Sequence, residues 1–213
     1  VLNGRPQLLS SAGGDFLSSA IKKLNKGKNL PDLAITPIHR SDGSGSTYAF
    51  TDFLKRSNVG WKPVGALIEW AGGPAASGSG GVATAVKTTQ GAIAYVGVDY
   101  AIPNKLTVAA IGNKAGRYIL PSQKGIRAGV AWVKKVPSNG VIHPVAPPKK
   151  YKTAYPIDAP SYVITKKGGP NAALVRQMIN FALGEGLGYR QDIGFAPLPK
   201  IVVKYGKKVA KTL

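Results

Sequence analysis

Residues 35–52, ITPIHRSDGSGSTYAFTD, carry the reading of the whole chain. A β-leaning apolar run, Ile35 to Ile38, ends in His39 and Arg40. A turn of Gly and hydroxyl residues follows, Asp42-Gly43-Ser44-Gly45-Ser46. The next residues, Thr47 to Lys55, predict a helix with Phe50, Phe53 and Leu54 on a buried face. Strand, Gly-rich turn and helix N-terminus together are a standard way to build an anion site. The first helical N–H groups lack a partner within the helix, and the aligned peptide dipoles place partial positive charge there. Gly43 and Gly45 let backbone approach a ligand, while Ser44 and Ser46 can cap the helix or donate to oxygen. Arg40 offers a planar fork suited to phosphate or carboxylate. Asp42 could hold Arg40 in position or accept the proton of a protonated oxyanion. The same letters could also make no more than a capping turn.

Working outward, the pattern alternates strands with helices and predicts an α/β protein. Asp15 to Leu24 has helical spacing. Trp61 to Trp70 reads as extended, and Ala71 to Gly81 as a Gly/Ser-rich turn. Ser79 is a candidate cap for a helix carrying Val82, Ala85 and Val86. Ala92 to Val98 reads as a buried strand, and Leu106 to Ile111 as a second extended run. Residues 122–135 could be helical, with Gly125 and Gly129 weakening them. Six prolines between 137 and 160 predict extended crossing segments. Tyr162 to Thr165 reads as a strand. The most regular helix spans 171–183, with Leu174, Val175, Met178, Phe181 and Ala182 as its stripe and Gly184 as its stop. Gly194 to Pro199 reads as a turn, and residues 200–212 as a last basic helix or tail.

Composition limits the function classes. The 213 residues allow one large domain or two small ones, and 44% apolar content is enough for a core. Cysteine is absent, which excludes disulfides, thiol catalysis and thiolate metal sites. The formal net charge of +20, from 29 Lys+Arg against 9 Asp+Glu, invites a nucleic-acid reading. The lysines are dispersed, however, and no zinc-ligand set, heptad or RNA-binding aromatic motif accompanies them. Dispersed positive charge fits solubility or attraction to an anionic surface or ligand. His39 and His143 have no evident catalytic partner, the nucleophile elbow G-x-S-x-G is not matched, and no Gly-Lys-Ser/Thr phosphate loop occurs. No catalytic residue, metal site or cofactor is expected, and an enzyme is not expected. Residues 1–14 lack the basic start, apolar core and cleavage site of a signal peptide, so any targeting segment is expected to lie outside this chain.

The string PIHRSDGSGSTYAFTDFL resembles the signature of phosphate-binding proteins that serve ABC-type phosphate importers. GSGGVATAVKTTQGAIAYV (78–96), Trp61 and Trp70, Tyr100-Ala101, Asn113 to Gly116, AYPIDAPSYVITKK and IGFAPLP are similar to further landmarks of that family in the same order. The resemblance covers about residues 15–205. It implies a periplasmic-binding-protein-like, venus-flytrap fold: two α/β lobes joined by crossing strands around one buried phosphate. Residues 1–153 would form mainly the second lobe with the anion motif, and 154–213 would return to the first. Carried over by position, Arg40, Ser44, Gly45 and Ser46 would bind phosphate and Asp42 would orient Arg40. Ser46 stands where the family usually has Thr, and Ser79 where it has Asn before the helix. The family's opening segment, which supplies the facing wall, has no counterpart here. The resemblance therefore implies a first lobe that is incomplete, with about the first third of the pattern absent. A fragment, a lobe supplied by another chain and a shortened relative would each account for this. The reading expects a monomer that binds inorganic phosphate, meets a membrane ABC permease and has no specific nucleic-acid partner. It places the protein outside the cytoplasm, periplasmic or as a cell-surface lipoprotein. The alternatives are a degenerate or other-oxyanion-binding homologue acting in surface adhesion, and a basic nucleic-acid-binding protein.

Overall fold

Strand β1 (Thr36–Arg40) is the middle strand of a parallel three-stranded sheet. Its neighbours are β2 (Ala75–Ala76) and β3 (Ala92–Ala94), in the order β2-β1-β3. The register sets His39 against Ala75 and Arg40 against Ala76 on one side, and Thr36 against Ala92 and Ile38 against Ala94 on the other. This is the architecture given by a computed structural model, which describes residues 19–57, 60–191 and 195–213. Helix α1 (Ser19–Leu24) precedes the sheet. Phe16 and Leu17 of the longer helix predicted there, and Gly194 of the predicted turn, lie outside the described residues.

Helix α2 (Gly45–Arg56) follows β1, and α3 (Gly78–Thr88) links β2 to β3. The apolar stripe of α2 builds the core as its spacing predicts. Ala49, Phe53 and Leu54 are buried against Val145 and Ala146 of the Pro-rich segment, with Phe50, Trp61, Ile111 and Ile157 packed around them. Ala146 reaches this position at a positive φ of 54°, and its N–H donates to the Pro156 carbonyl at 2.8 Å. Thr47 and Thr51 are fully enclosed polar residues on the same helix. The Thr51 hydroxyl is satisfied by the Thr47 carbonyl at 2.8 Å, as burial of a hydroxyl requires.

Gly73 carries β2 close against β1. Its φ is +96°, and a Cβ there would lie 2.0 Å from the Pro37 carbonyl oxygen. Only glycine meets both conditions.

Several predicted strands are shorter than their composition suggests. Residues 61–70 pair with no strand among the described residues. The run predicted over 92–98 ends at Ala94, and a short helix, α4 (Val98–Ala101), follows. Of the run 106–111 only Ile111 pairs, in β4 (Ile111–Gly112) against antiparallel β5 (Tyr118–Ile119). The predicted strand at 162–165 is unpaired among the described residues. Tyr162, Val163 and Ile164 are exposed, Ile164 by 93%. Composition can favour extension, but a strand exists only where a ladder partner is present.

Helix α5 (Gln123–Val130) is capped by the Ser122 hydroxyl, which accepts from the Gly125 N–H at 3.2 Å. The segment 154–158 crosses it so closely that a Cβ on Gly129 would meet the Asp158 carboxylate and the Tyr155 carbonyl. The closing elements are α6 (Ala172–Ala182), a 3₁₀ helix (Glu185–Gln191) and α7 (Lys200–Ala210). The predicted stripe on α6 is present but not covered. Leu174, Met178 and Phe181 are each about half exposed or more, and no residue of the helix is buried. No helix among the described residues is long and apolar enough to cross a membrane.

Candidate anion-binding site

Arg40 is the last residue of the central strand, so its side chain leaves the sheet at the carboxyl end, where α2 and α3 both begin. In open parallel sheets this end is where ligands bind, because the following helices aim their N-termini there. The guanidinium is held firmly. Nε donates to Asp42 Oδ1 at 2.7 Å and Nη2 to Asp42 Oδ2 at 2.5 Å, a two-pronged ion pair. Nη1 donates to Ser44 Oγ at 3.0 Å and lies 3.5 Å from Ser79 Oγ. An arginine has five N–H groups. Two go to Asp42, one to Ser44 and one, at 3.5 Å, to Ser79, which leaves one on Nη2 outside these bonds.

Asp42 serves a second element. Its Oδ1 also accepts the Gly78 N–H at 3.0 Å, so it caps α3 from a loop far upstream. Ser77, the residue that precedes α3, makes no side-chain cap. The predicted cap Ser79 is therefore corrected: it is the second residue inside α3, and its hydroxyl turns to Arg40. The Arg40 hydrogen bonds, and then the Gly78 N–H, hold the Asp42 carboxyl well below the usual carboxylate range. The same bond to Asp42 raises the Arg40 pKa above its ordinary value, against the opposing effect of burial. The pair thus stays ionised through neutral and mildly acidic conditions.

Ser44 is the N-cap of α2, with extended backbone at φ −145° and ψ 130°. Its hydroxyl accepts from Ser46 N–H at 3.1 Å and Thr47 N–H at 3.3 Å, and also from Arg40. Its own N–H donates to the Ala66 carbonyl at 2.8 Å. Of the four residues 44–47, Gly45 alone has an N–H outside these bonds. Gly43 and Gly45 are exposed, and a Cβ on either would meet nothing within 4 Å. Arg40, Asp42 and Ser44 are thus joined directly, and Gly45 and Ser46 follow them in the first turn of α2.

One residue at this site escapes a reading of the motif alone. The Tyr95 hydroxyl accepts the Arg40 N–H at 3.2 Å and lies 2.8 Å from Thr47 Oγ1. It ties the end of β1 to the first turn of α2. Its ring sits between Phe50, at 4.8 Å, and Trp70, at 5.7 Å between centroids. Trp70 in turn stacks on His39 at 5.2 Å. The pairing of Ile38 with Ala94 explains the placement, since it carries Tyr95 alongside the end of β1. His39 is a strand residue in the aromatic column, and its ring nitrogens face the Arg40 and Gly73 carbonyls at 3.1 Å each.

Residues 15–185 match the family model described as PBP superfamily domain, and the chain belongs to that superfamily. Among curated relatives, it is 34% identical over 194 residues to the phosphate-binding protein PstS of Pasteurella multocida (strain Pm70). It is 32% identical over 195 residues to that of Xylella fastidiosa (strain 9a5c). These alignments cover 87% of this chain but 55% and 52% of the two relatives, so the chain spans about half their length. Two solved structures share the fold. A high-affinity periplasmic phosphate-binding protein, PfluDING, bound with phosphate, superposes with a TM-score of 0.62 at 21% identity, over 88% of this chain and 60% of that one. A human phosphate-binding apolipoprotein superposes with a TM-score of 0.59 at 20% identity, over 83% and 59%. The fold is the expected periplasmic-binding-protein-like α/β architecture.

Proposed function

We propose that this chain supplies one wall of a cleft that binds inorganic phosphate, in an extracytoplasmic receptor that presents phosphate to a membrane ABC importer. The observation that carries this reading is the Arg40 guanidinium, pinned by Asp42 and Ser44 where α2 and α3 begin together. Arg40 directs its remaining N–H group at a phosphate oxygen. The Gly45 N–H and the Ser46 hydroxyl add donors at the positive end of α2. Ser44 acts mainly through its hydroxyl, because its N–H is already taken by Ala66. Asp42 is the orienting group, since its two oxygens are committed to Arg40 and Gly78. The names of the relatives, all phosphate-binding proteins, point the same way.

In this reading no bond is broken. The protein acts by binding and release, as a monomer; residues 1–153 form mainly the second lobe, and 154–213 run from it back to the first. Nucleic acid is not its specific ligand, because the positioned donors converge on one small anion. Calorimetry with phosphate, sulfate and a short DNA duplex tests this. Phosphate should release heat, and Arg40→Ala should weaken binding by roughly 10- to 150-fold, the worth of charge-assisted hydrogen bonds. Arg40→Lys should not restore it, because an ammonium cannot hold the two-pronged geometry. DNA binding with a steep salt dependence and no response to phosphate would overturn the proposal.

A further inference from the structure

The last helix carries a feature that the anion site does not use. Lys200, Lys204, Lys207, Lys208 and Lys211 are all exposed. At 3.6 residues per turn they fall within an arc of about 100° along about 17 Å of α7. The opposite side packs in part on the protein, with Val209 there 43% exposed. Val202, Val203 and Gly206 are partly buried and Ala210 is fully buried. A Cβ on Gly206 would lie 2.6 Å from Leu183 Cδ1, so the backbone of α7 rests directly on the end of α6. Tyr205 fastens the helix sideways by donating to the Ser138 carbonyl at 2.8 Å. That bond brings in a loop that begins with exposed Lys134 and Lys135. No Asp or Glu occurs from residue 193 to the C-terminus to neutralise the stripe.

We propose that this lysine face of α7 docks on an anionic lipid surface. Charge complementarity names the class of partner, and the shape narrows it. The stripe is convex and straight, so it suits a flat, diffuse field of charge rather than a groove. It consists of lysines, compact charges on flexible stems that can follow mobile headgroups, and it lacks the rigid arginine forks that select fixed phosphates. Ile201, 38% exposed at its edge, can settle at headgroup level beside the charges. The aromatic residue of α7 is committed to Ser138 and presents no ring for stacking on bases.

Vesicle flotation with the full chain tests this. The protein should float with phosphatidylcholine vesicles that contain phosphatidylglycerol, stay behind with pure phosphatidylcholine, and be released by high salt. Lys204→Ala with Lys208→Ala should lower the partition coefficient roughly 30-fold, at about 1 kcal/mol per lysine near an anionic membrane. Exposed Lys22→Ala with Lys23→Ala makes the same change in net charge and should stay within about twofold of the parent protein. Equal losses in the two double variants would assign the effect to bulk charge and overturn the proposal. So would equal partition into both kinds of vesicle, or a DNA duplex that competes the protein off the vesicles and itself depends on Lys204 and Lys208.

Discussion

Helices α2 and α6 are almost the same length, and both show an apolar stripe in the sequence, yet they end in opposite environments. Helix α2 buries Thr47, Ala49, Thr51, Asp52, Phe53 and Leu54. Helix α6 buries none of its residues and leaves Phe181 53% exposed. The difference lies in what stands opposite each stripe. The Pro-rich segment, Trp61, Ile111 and an aromatic column surround α2, whereas among the described elements α6 packs chiefly against the 3₁₀ helix and α7. A hydrophobic stripe therefore reports an intention to pack, and its burial depends on surface supplied from elsewhere in the fold. The candidate anion motif opens the helix whose apolar stripe is buried.

The largest expected effect tests this contrast directly. Phe53→Ala should cost about 3–5 kcal/mol of unfolding free energy by denaturant titration, the range for an aromatic residue removed from a core. Phe181→Ala should stay within about 0.5 kcal/mol of the parent protein. Similar losses at both positions would break the comparison.

A second test lies where the crossing segment passes over α5. Burial pushes the Asp158 carboxyl up to about 8, and its Oδ2 has no hydrogen-bond partner among the described residues. The folded state therefore keeps a proton that the unfolded chain releases near the ordinary value of 3.8. The stability is fully present below that ordinary value and is lost as pH rises through the folded one. Thermal unfolding should show stability falling between about pH 4 and pH 8, by up to about 1.4 kcal/mol per pH unit. Asp158→Asn should flatten that dependence, and an unchanged slope would mean that the carboxyl is solvated. The smallest effect is expected from Tyr95→Phe. Losing the hydroxyl between the Arg40 N–H and Thr47 should cost about 1 kcal/mol of stability. It should also weaken phosphate binding, which calorimetry would detect, whereas Phe181→Ala should leave binding unchanged.

The local parts of the fold were legible in the sequence. The end of β1, the cap at Ser44 and the buried face of α2 follow from side-chain period and turn chemistry within a few residues of one another. What escaped depends on distant partners. Ser79 reads as a cap because it is a serine before an apolar run, but Asp42 caps α3 instead and draws its start back to Gly78. Tyr95 joins the site through strand register, which no window around residue 40 contains. Tyr162 to Thr165 has the composition of a strand, and the ladder that would make it one is not present among the described residues.

The three-way grip on Arg40 bears on the speed and cost of recognition. A long, free arginine surrenders rotamer freedom when it clamps a ligand, at about 0.5–1.5 kcal/mol for a side chain of this kind. Here Asp42 and Ser44 have already frozen the guanidinium in place, so that entropy is spent during folding and not at each encounter. Under the proposed function an arriving anion would meet a fixed template, and affinity at this wall should depend more on how well the ion fits than on how far the protein must rearrange.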